Sequence, residues 1–159
     1  MKKWISSKHD SREIIEKIQT SLSISLDLSK SAQVENFEPE EGARFVIVDE
    51  KFVFAGKDDG FVPYIGCQPL VDLFPAVRID DGAVKFIING ADVMRPGVVS
   101  YDDWGDASRL VVIRESKGRG VAVGQTLIMS GEMPAMGKGV CVKNLHHVGD
   151  RYWTLYRQI

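Results

Sequence analysis

Lys85, Gly90, Arg95 and Gly97 crowd into one short stretch of the chain. A lysine and an arginine can neutralise phosphates, and a guanidinium grips a phosphate in a bidentate fork that an ammonium does not copy. Glycine removes a side chain where a sugar-phosphate backbone could approach. These are the parts needed to hold a phosphate-bearing polymer such as RNA. The same residues have plainer uses. Gly90 and Gly97 can serve turn geometry. Pro96 can fix a loop, Met94 can plug a core, and Lys85 and Arg95 can form a solvated face.

Other chemistries find no support in the residues. His146 and His147 adjoin near a strand end, so their side chains point to opposite faces: one packs or hydrogen-bonds, the other is exposed. With His9, Cys67 and Cys141 they form no set with zinc spacing. Gly118-Arg119-Gly120 lacks the third glycine of a dinucleotide loop, and Gly137-Lys138-Gly139 is not a phosphate-binding loop. Gly-x-Ser-x-Gly does not occur. Cys67 has no local base and reads as a buried thiol. Asp80-Asp81 and Asp102-Asp103 are explained by caps and turns. The expectation is a protein without catalysis, metal or cofactor.

The chain has 159 residues, 44% of them hydrophobic and 26% charged, and a net charge of −2. That is one ordinary domain or two small ones, with enough apolar mass for a core. No window is apolar enough to span a membrane. The start, MKKWISSKHDSREIIEK, has no apolar run and is not read as a signal peptide. Two cysteines make no disulfide framework, so a cytoplasmic setting is expected. The charge is uneven. Residues 1–76 carry 9 Lys+Arg and 13 Asp+Glu, a net −4, whereas residues 77–159 carry 11 and 9, a net +2. Two modules of different chemistry are expected, the second suited to a phosphate-bearing partner.

The elements that must position these residues follow from pattern. Asp10 and Glu13 match a capping box, and Ile14, Ile15, Ile18 and Leu22 give helical spacing over about 10–22. The stretch 23–32 reads equally as strand or loop. Arg44–Val48 and Lys51–Ala55 read as a hairpin around Asp49-Glu50, with a further strand at Phe61–Ile65. A short helix over Gln68–Phe74 ends at Pro75. The second part opens with a strand at Ala76–Ile79. A short helix follows, capped by Asp80 or Asp81, with Ala83, Phe86 and Ile87 as its buried stripe and Gly90 suited to a left-handed end. Leu110–Arg114, Gly120–Val123, Thr126–Met129, Gly139–Lys143 and Tyr152–Tyr156 read as short strands of a small barrel. On the last of these, Trp153 is expected to close the core and Tyr152 is a possible stacking platform.

The stretch Val77–Val98, with Gly90-Ala91-Asp92-Val93-Met94-Arg95-Pro96-Gly97 at its centre, resembles the opening of a PUA domain, the module named for pseudouridine synthases and archaeosine transglycosylases. Gly118–Val123 resembles its central hairpin and Gly139–Trp153 its closing strands. Asp59–Tyr64, Leu70–Pro75 and Asn144-Leu145-His146 are similar to the malignant-T-cell-amplified-sequence family, in which a preceding module is joined to the PUA domain. The chain looks like a compact archaeal member. The resemblance implies an α+β module over 1–75 and a mostly β PUA-like pseudo-barrel over 76–159. It implies RNA binding in the translation or tRNA system, with tRNA or ribosomal RNA as the partner. Residues 1–75 would orient the RNA or meet a translation factor or ribosomal protein; their acidic balance suits a basic protein better than a second RNA contact. A targeting subunit for a separate RNA-modifying enzyme is the alternative, and an enzyme site around Tyr64–Gln68 a third. In PUA relatives RNA lies beside the short helix, its loop and the final strands. Carried over, that nominates Lys85, Asn89, Gly90, Ala91, Arg95, Pro96 and Gly97, with Lys143, His146 and Arg151 opposite.

Overall fold

The computed structural model describes residues 1–158, and these build two sheets and four α-helices. The chain runs β1 (Lys2–Ile5), α1 (Lys8–Leu22), β2 (Val34–Glu40), β3 (Ala43–Val48), β4 (Phe52–Lys57), β5 (Gly60–Pro63) and α2 (Gln68–Val71). It continues through β6 (Ala76–Ile79), α3 (Asp81–Ile87), β7 (Val93–Met94), β8 (Val98–Tyr101), β9 (Leu110–Arg114), β10 (Gly120–Thr126), β11 (Val140–His147) and α4 (Arg151–Arg157). The first sheet is an antiparallel series in the order β1-β2-β3-β4-β5. The second has the order β7-β11-β10-β9-β6-β8, with β6 and β9 parallel and the other pairs antiparallel. It curls into the expected pseudo-barrel. Among the described residues no helix is long and apolar enough to cross a membrane.

Strand alternation explains the first sheet. Phe45 and Ile47 point to one face of β3, and Val46 and Val48 to the other. Phe45, Val46 and Val48 are fully buried, so the sheet is covered on both sides. Ile15 and Ile18 of α1 join this core. Helix α1 starts earlier than the Asp10–Glu13 pattern suggests. Its cap is Ser7, whose hydroxyl accepts the Asp10 N–H at 3.1 Å.

The last helix corrects the largest misreading. Tyr152–Tyr156 is not a strand. Asp150 caps α4 by accepting the Trp153 N–H at 2.9 Å. The apolar positions 152, 153, 155 and 156 then fall on one helical face. That face lies on the first module: Tyr156 stands 5.2 Å from Phe45 and 4.6 Å from Tyr64, and Trp153 5.9 Å from Tyr64, between ring centroids. Trp153 packs against the core of the first sheet and does not close the barrel. A β-carbon on Gly66 would stand 2.5 Å from the Tyr64 ring, so this packing leaves no room for one.

Three smaller differences have local causes. Strands β1 and β2 carry no strand signal of their own, because KKWI and VENFEPE are too polar to show the apolar alternation of a half-buried strand. Thr126 ends β10 instead of opening a separate strand, and β11 runs on to His147. Phe86 is 58% exposed and Met94 48%, so neither fills the core. Helix α3 rests on the barrel through buried Ile87, with Ala83 and Val84 packed half-buried beside it.

Candidate nucleic-acid interface

Helix α3 is built by local rules. Asp80 caps it, accepting the Ala83 N–H at 2.9 Å. Its C-terminal end closes when the Ala91 N–H reaches the Phe86 carbonyl at 3.0 Å, which places Gly90 in the left-handed region at φ +94°. Only glycine takes that conformation without strain. Asn89 donates its side-chain amide to the Lys85 carbonyl at 2.8 Å.

Asn144 of β11 fastens this corner to the barrel. Its side-chain amide donates to the carbonyls of Ile87 and Ala91, both at 3.0 Å, and its N–H donates to Asp92 at 2.9 Å. Residues 95–97 form a single 3-10 turn, and the Gly97 carbonyl accepts the Asp80 N–H at 3.0 Å. Helix and turn thus border an open groove of about 540 Å³. Ala83, Phe86, Ala91, Val93, Met94 and Gly97 line it. Its walls are mostly apolar, with Asp80 and Asp92 also in the lining, and Lys85 stands beside it on α3 with Nζ 5.1 Å from the Phe86 ring centre. Lys85 is exposed and forms no ion pair among the described residues.

The ten nominated residues do not all gather here. Asn89, Gly90, Ala91, Pro96 and Gly97 shape the corner, Lys85 stands over it, and Lys143 is exposed on β11 beside Asn144. Three residues depart from expectation. Arg95 is half-buried. Its Nε donates to the Met133 carbonyl at 3.0 Å and its Nη1 to the Val98 carbonyl at 3.5 Å, so two of the three guanidinium nitrogens face backbone carbonyls. His146 is fully buried. It bonds Asp150 through Nδ1 at 2.8 Å, and its Nε2 accepts the Ile65 N–H at 3.1 Å. Arg151 pairs with Glu40 at 2.7 Å and donates to the Glu41 carbonyl, tying α4 to the β2–β3 turn.

Sequence reading missed three others. His147, not His146, adjoins the corner: its Nε2 lies 3.5 Å from where a β-carbon on Gly90 would stand. Alternation shows that two neighbouring histidines face apart, but not which one faces inward. Helical spacing puts Phe86 in a buried stripe and residue type puts Met94 in the core, whereas their exposure makes them the groove's rim. At the third proposed site, Cys67 is buried and its thiol donates to the Lys51 carbonyl at 3.3 Å. Tyr64 is stacked on His146 and Trp153, and burial pushes its phenol up to about 12.

Residues 75–148 match the model of the PUA domain. An uncharacterised protein of Methanocaldococcus jannaschii is 32% identical over 158 residues, 96% of each chain. The chain belongs to the PUA-domain family. Its relatives include translation machinery-associated protein 20 of Saccharomyces cerevisiae, 27% identical over 135 residues, 80% of this chain and 75% of that one. Malignant T-cell-amplified sequence proteins are also among them. A hypothetical protein of Pyrococcus horikoshii superposes with a TM-score of 0.78 at 30% identity, covering 97% and 99% of the two chains. An H/ACA RNP bound to a substrate RNA contains a chain with a TM-score of 0.50 at 30% identity, over 59% of this chain and 29% of that one. The curled sheet and the α3 groove both lie within the PUA domain.

The role of Arg95 can be tested directly. Arg95→Ala removes a charged donor from two carbonyls of the PUA domain, a loss of about 2 kcal/mol. The melting temperature should fall by about 4–8 °C. RNA affinity measured well below that temperature should stay within twofold of the parent. A tenfold loss of affinity with an unchanged melting temperature would return Arg95 to the interface.

Proposed function

We infer that this protein is a non-catalytic RNA-binding component of the translation machinery, acting in the cytoplasm on tRNA or ribosomal RNA. The observation that carries the reading is the open, mostly apolar groove of the PUA domain, with the exposed Phe86 ring in its lining and the unpaired Lys85 beside that ring. Unpaired nucleotides present flat faces and a charged backbone, and such a groove suits both. The names of the translation machinery-associated relatives and the RNA-bound structural relative support it. The recognised feature is an unpaired stretch or chain end, because a helical duplex does not offer its base faces. The first module positions the RNA relative to the rest of the machinery.

Fluorescence anisotropy of labelled total tRNA and of small-subunit ribosomal RNA, titrated across a salt series, tests this reading. Binding to at least one RNA that weakens linearly in log–log salt is expected. Absence of binding to both at low salt overturns it.

A further inference from the structure

The net −4 of residues 1–76 is unevenly placed. Glu38, Glu40, Glu41, Asp58 and Asp59 fall at one end of the first sheet, where β2 and β4 end and β3 and β5 begin, and there they outnumber Lys2, Lys17 and Arg44, which line the same surface. The opposite end is different. There α1 and the 28–33 segment border a second open groove, of about 660 Å³. Lys8 and Arg12 stand on one bank and Lys30 on the other. All three are exposed, and none forms an ion pair among the described residues. Lys8 and Arg12 are one helical turn apart, a rise of about 6 Å along the bank. Two carboxylates offset part of this field. Glu16 is a single charge on the α1 bank. Asp49 keeps its charge while accepting the Ser29 N–H at 2.8 Å and its hydroxyl at 2.7 Å, and this holds the 28–33 bank in place.

The lining selects among anions. It contains no aromatic ring, so it has no platform for bases. Its apolar members Ile15 and Leu28 are buried and half-buried, so it offers no apolar surface to a membrane. What remains is a row of cations with serine hydroxyls from Ser6 and Ser31, spaced for several phosphates along a chain. We propose that this groove is a second RNA site, which holds the sugar-phosphate backbone while the PUA groove takes unpaired bases. The proposal rests on the reading that the ligand is RNA, and it reverses the expectation of a basic protein partner at this face.

The test is the triple substitution Lys8→Gln, Arg12→Gln, Lys30→Gln in the full chain, read by anisotropy with labelled total tRNA and small-subunit ribosomal RNA. A control removes three lysines elsewhere in the module: Lys2→Gln, Lys3→Gln, Lys17→Gln. All six side chains are exposed, and thermal melts check that each variant folds. The groove variant should flatten the slope of log affinity against log salt by about 2 for the three lost contacts. The control should leave the slope within experimental error. An unchanged slope with both RNAs, or an equal loss in the control, overturns the groove. Phe86→Ala, tested alongside, separates the two sites. If it has no effect while the groove variant weakens binding, the PUA reading falls and the groove stands. If wild-type protein binds neither RNA, both fall.

Discussion

Asp150→Ala is expected to lower the stability of the chain by about 3–5 kcal/mol, because three hydrogen bonds to one ionised carboxylate are lost and a buried ring N–H is left unpaired. Three bonds end on this carboxylate. Oδ1 accepts the Trp153 N–H that starts α4. Oδ2 accepts the His147 N–H and meets His146 Nδ1. His146 is fully buried, so without Asp150 its ring N–H has no partner. The loss spreads because α4 covers Phe45 and Tyr64, and Tyr64 stacks on His146. Urea denaturation followed by tryptophan fluorescence measures the effect, with Trp153 reporting on this packing itself. A loss below 1 kcal/mol would mean that α4 is held by its aromatic face alone.

The same carboxylate gives a pH dependence of known sign. Burial pushes the Asp150 carboxyl up. The hydrogen bond from His146 and those from the N–H groups of Trp153 and His147 outweigh it, and the net position lies below the usual carboxylate range. The unfolded chain therefore binds the proton more readily. The stability due to Asp150 is complete above the unfolded carboxylate pKa of about 4 and is lost as pH falls through the lower folded value. Asp150→Asn keeps an acceptor for the cap and removes the titration. Between pH 6 and pH 3 its urea midpoint should fall less steeply than that of the parent. Parallel curves would show that other carboxylates govern acid unfolding.

Phe86→Ala and Lys85→Gln should both weaken RNA binding, but in different ways. Loss of a stacked base costs about 1–3 kcal/mol and is insensitive to salt. Loss of one phosphate contact on a single strand flattens the salt slope by about 0.7. Phe86→Ala should therefore shift the log–log line downward without tilting it, and Lys85→Gln should tilt it. Both side chains are exposed, so neither change should move the melting temperature appreciably. The pair is read from one anisotropy titration series at four or more salt concentrations. A tilt produced by Phe86→Ala would mean that the ring only steadies Lys85, whose Nζ lies 5.1 Å from the ring centre.

Legibility of this protein in its sequence divides by the range of the forces involved. The cap of α3 by Asp80, its left-handed closure at Gly90 and the hairpin around Asp49-Glu50 are settled within a few residues, and the residue types announce them. The PUA stretch 77–98 belongs here too, because its turns and cap lie inside one contiguous segment. Helix α4 shows where that stops. Tyr152, Thr154 and Tyr156 alternate like a strand, and only the Asp150 cap and the first module's aromatic face make helical spacing the better burial. Strand β1 is polar and becomes a strand only because β2 is there to pair with it.

Charge and exposure follow the same division. The family and the segment that carries the PUA groove are legible in the amino-acid sequence alone. Only the tertiary structure decided that Arg95 faces carbonyls, that His146 faces inward and His147 outward, and that Phe86 and Met94 face solvent. It also decided that the acidic first module gathers Lys8, Arg12 and Lys30 around one groove. Backbone closure is a local matter of dihedral angles and nearby hydrogen bonds. The neighbours that bury a ring or satisfy a guanidinium arrive from distant parts of the chain, and a net charge records no positions.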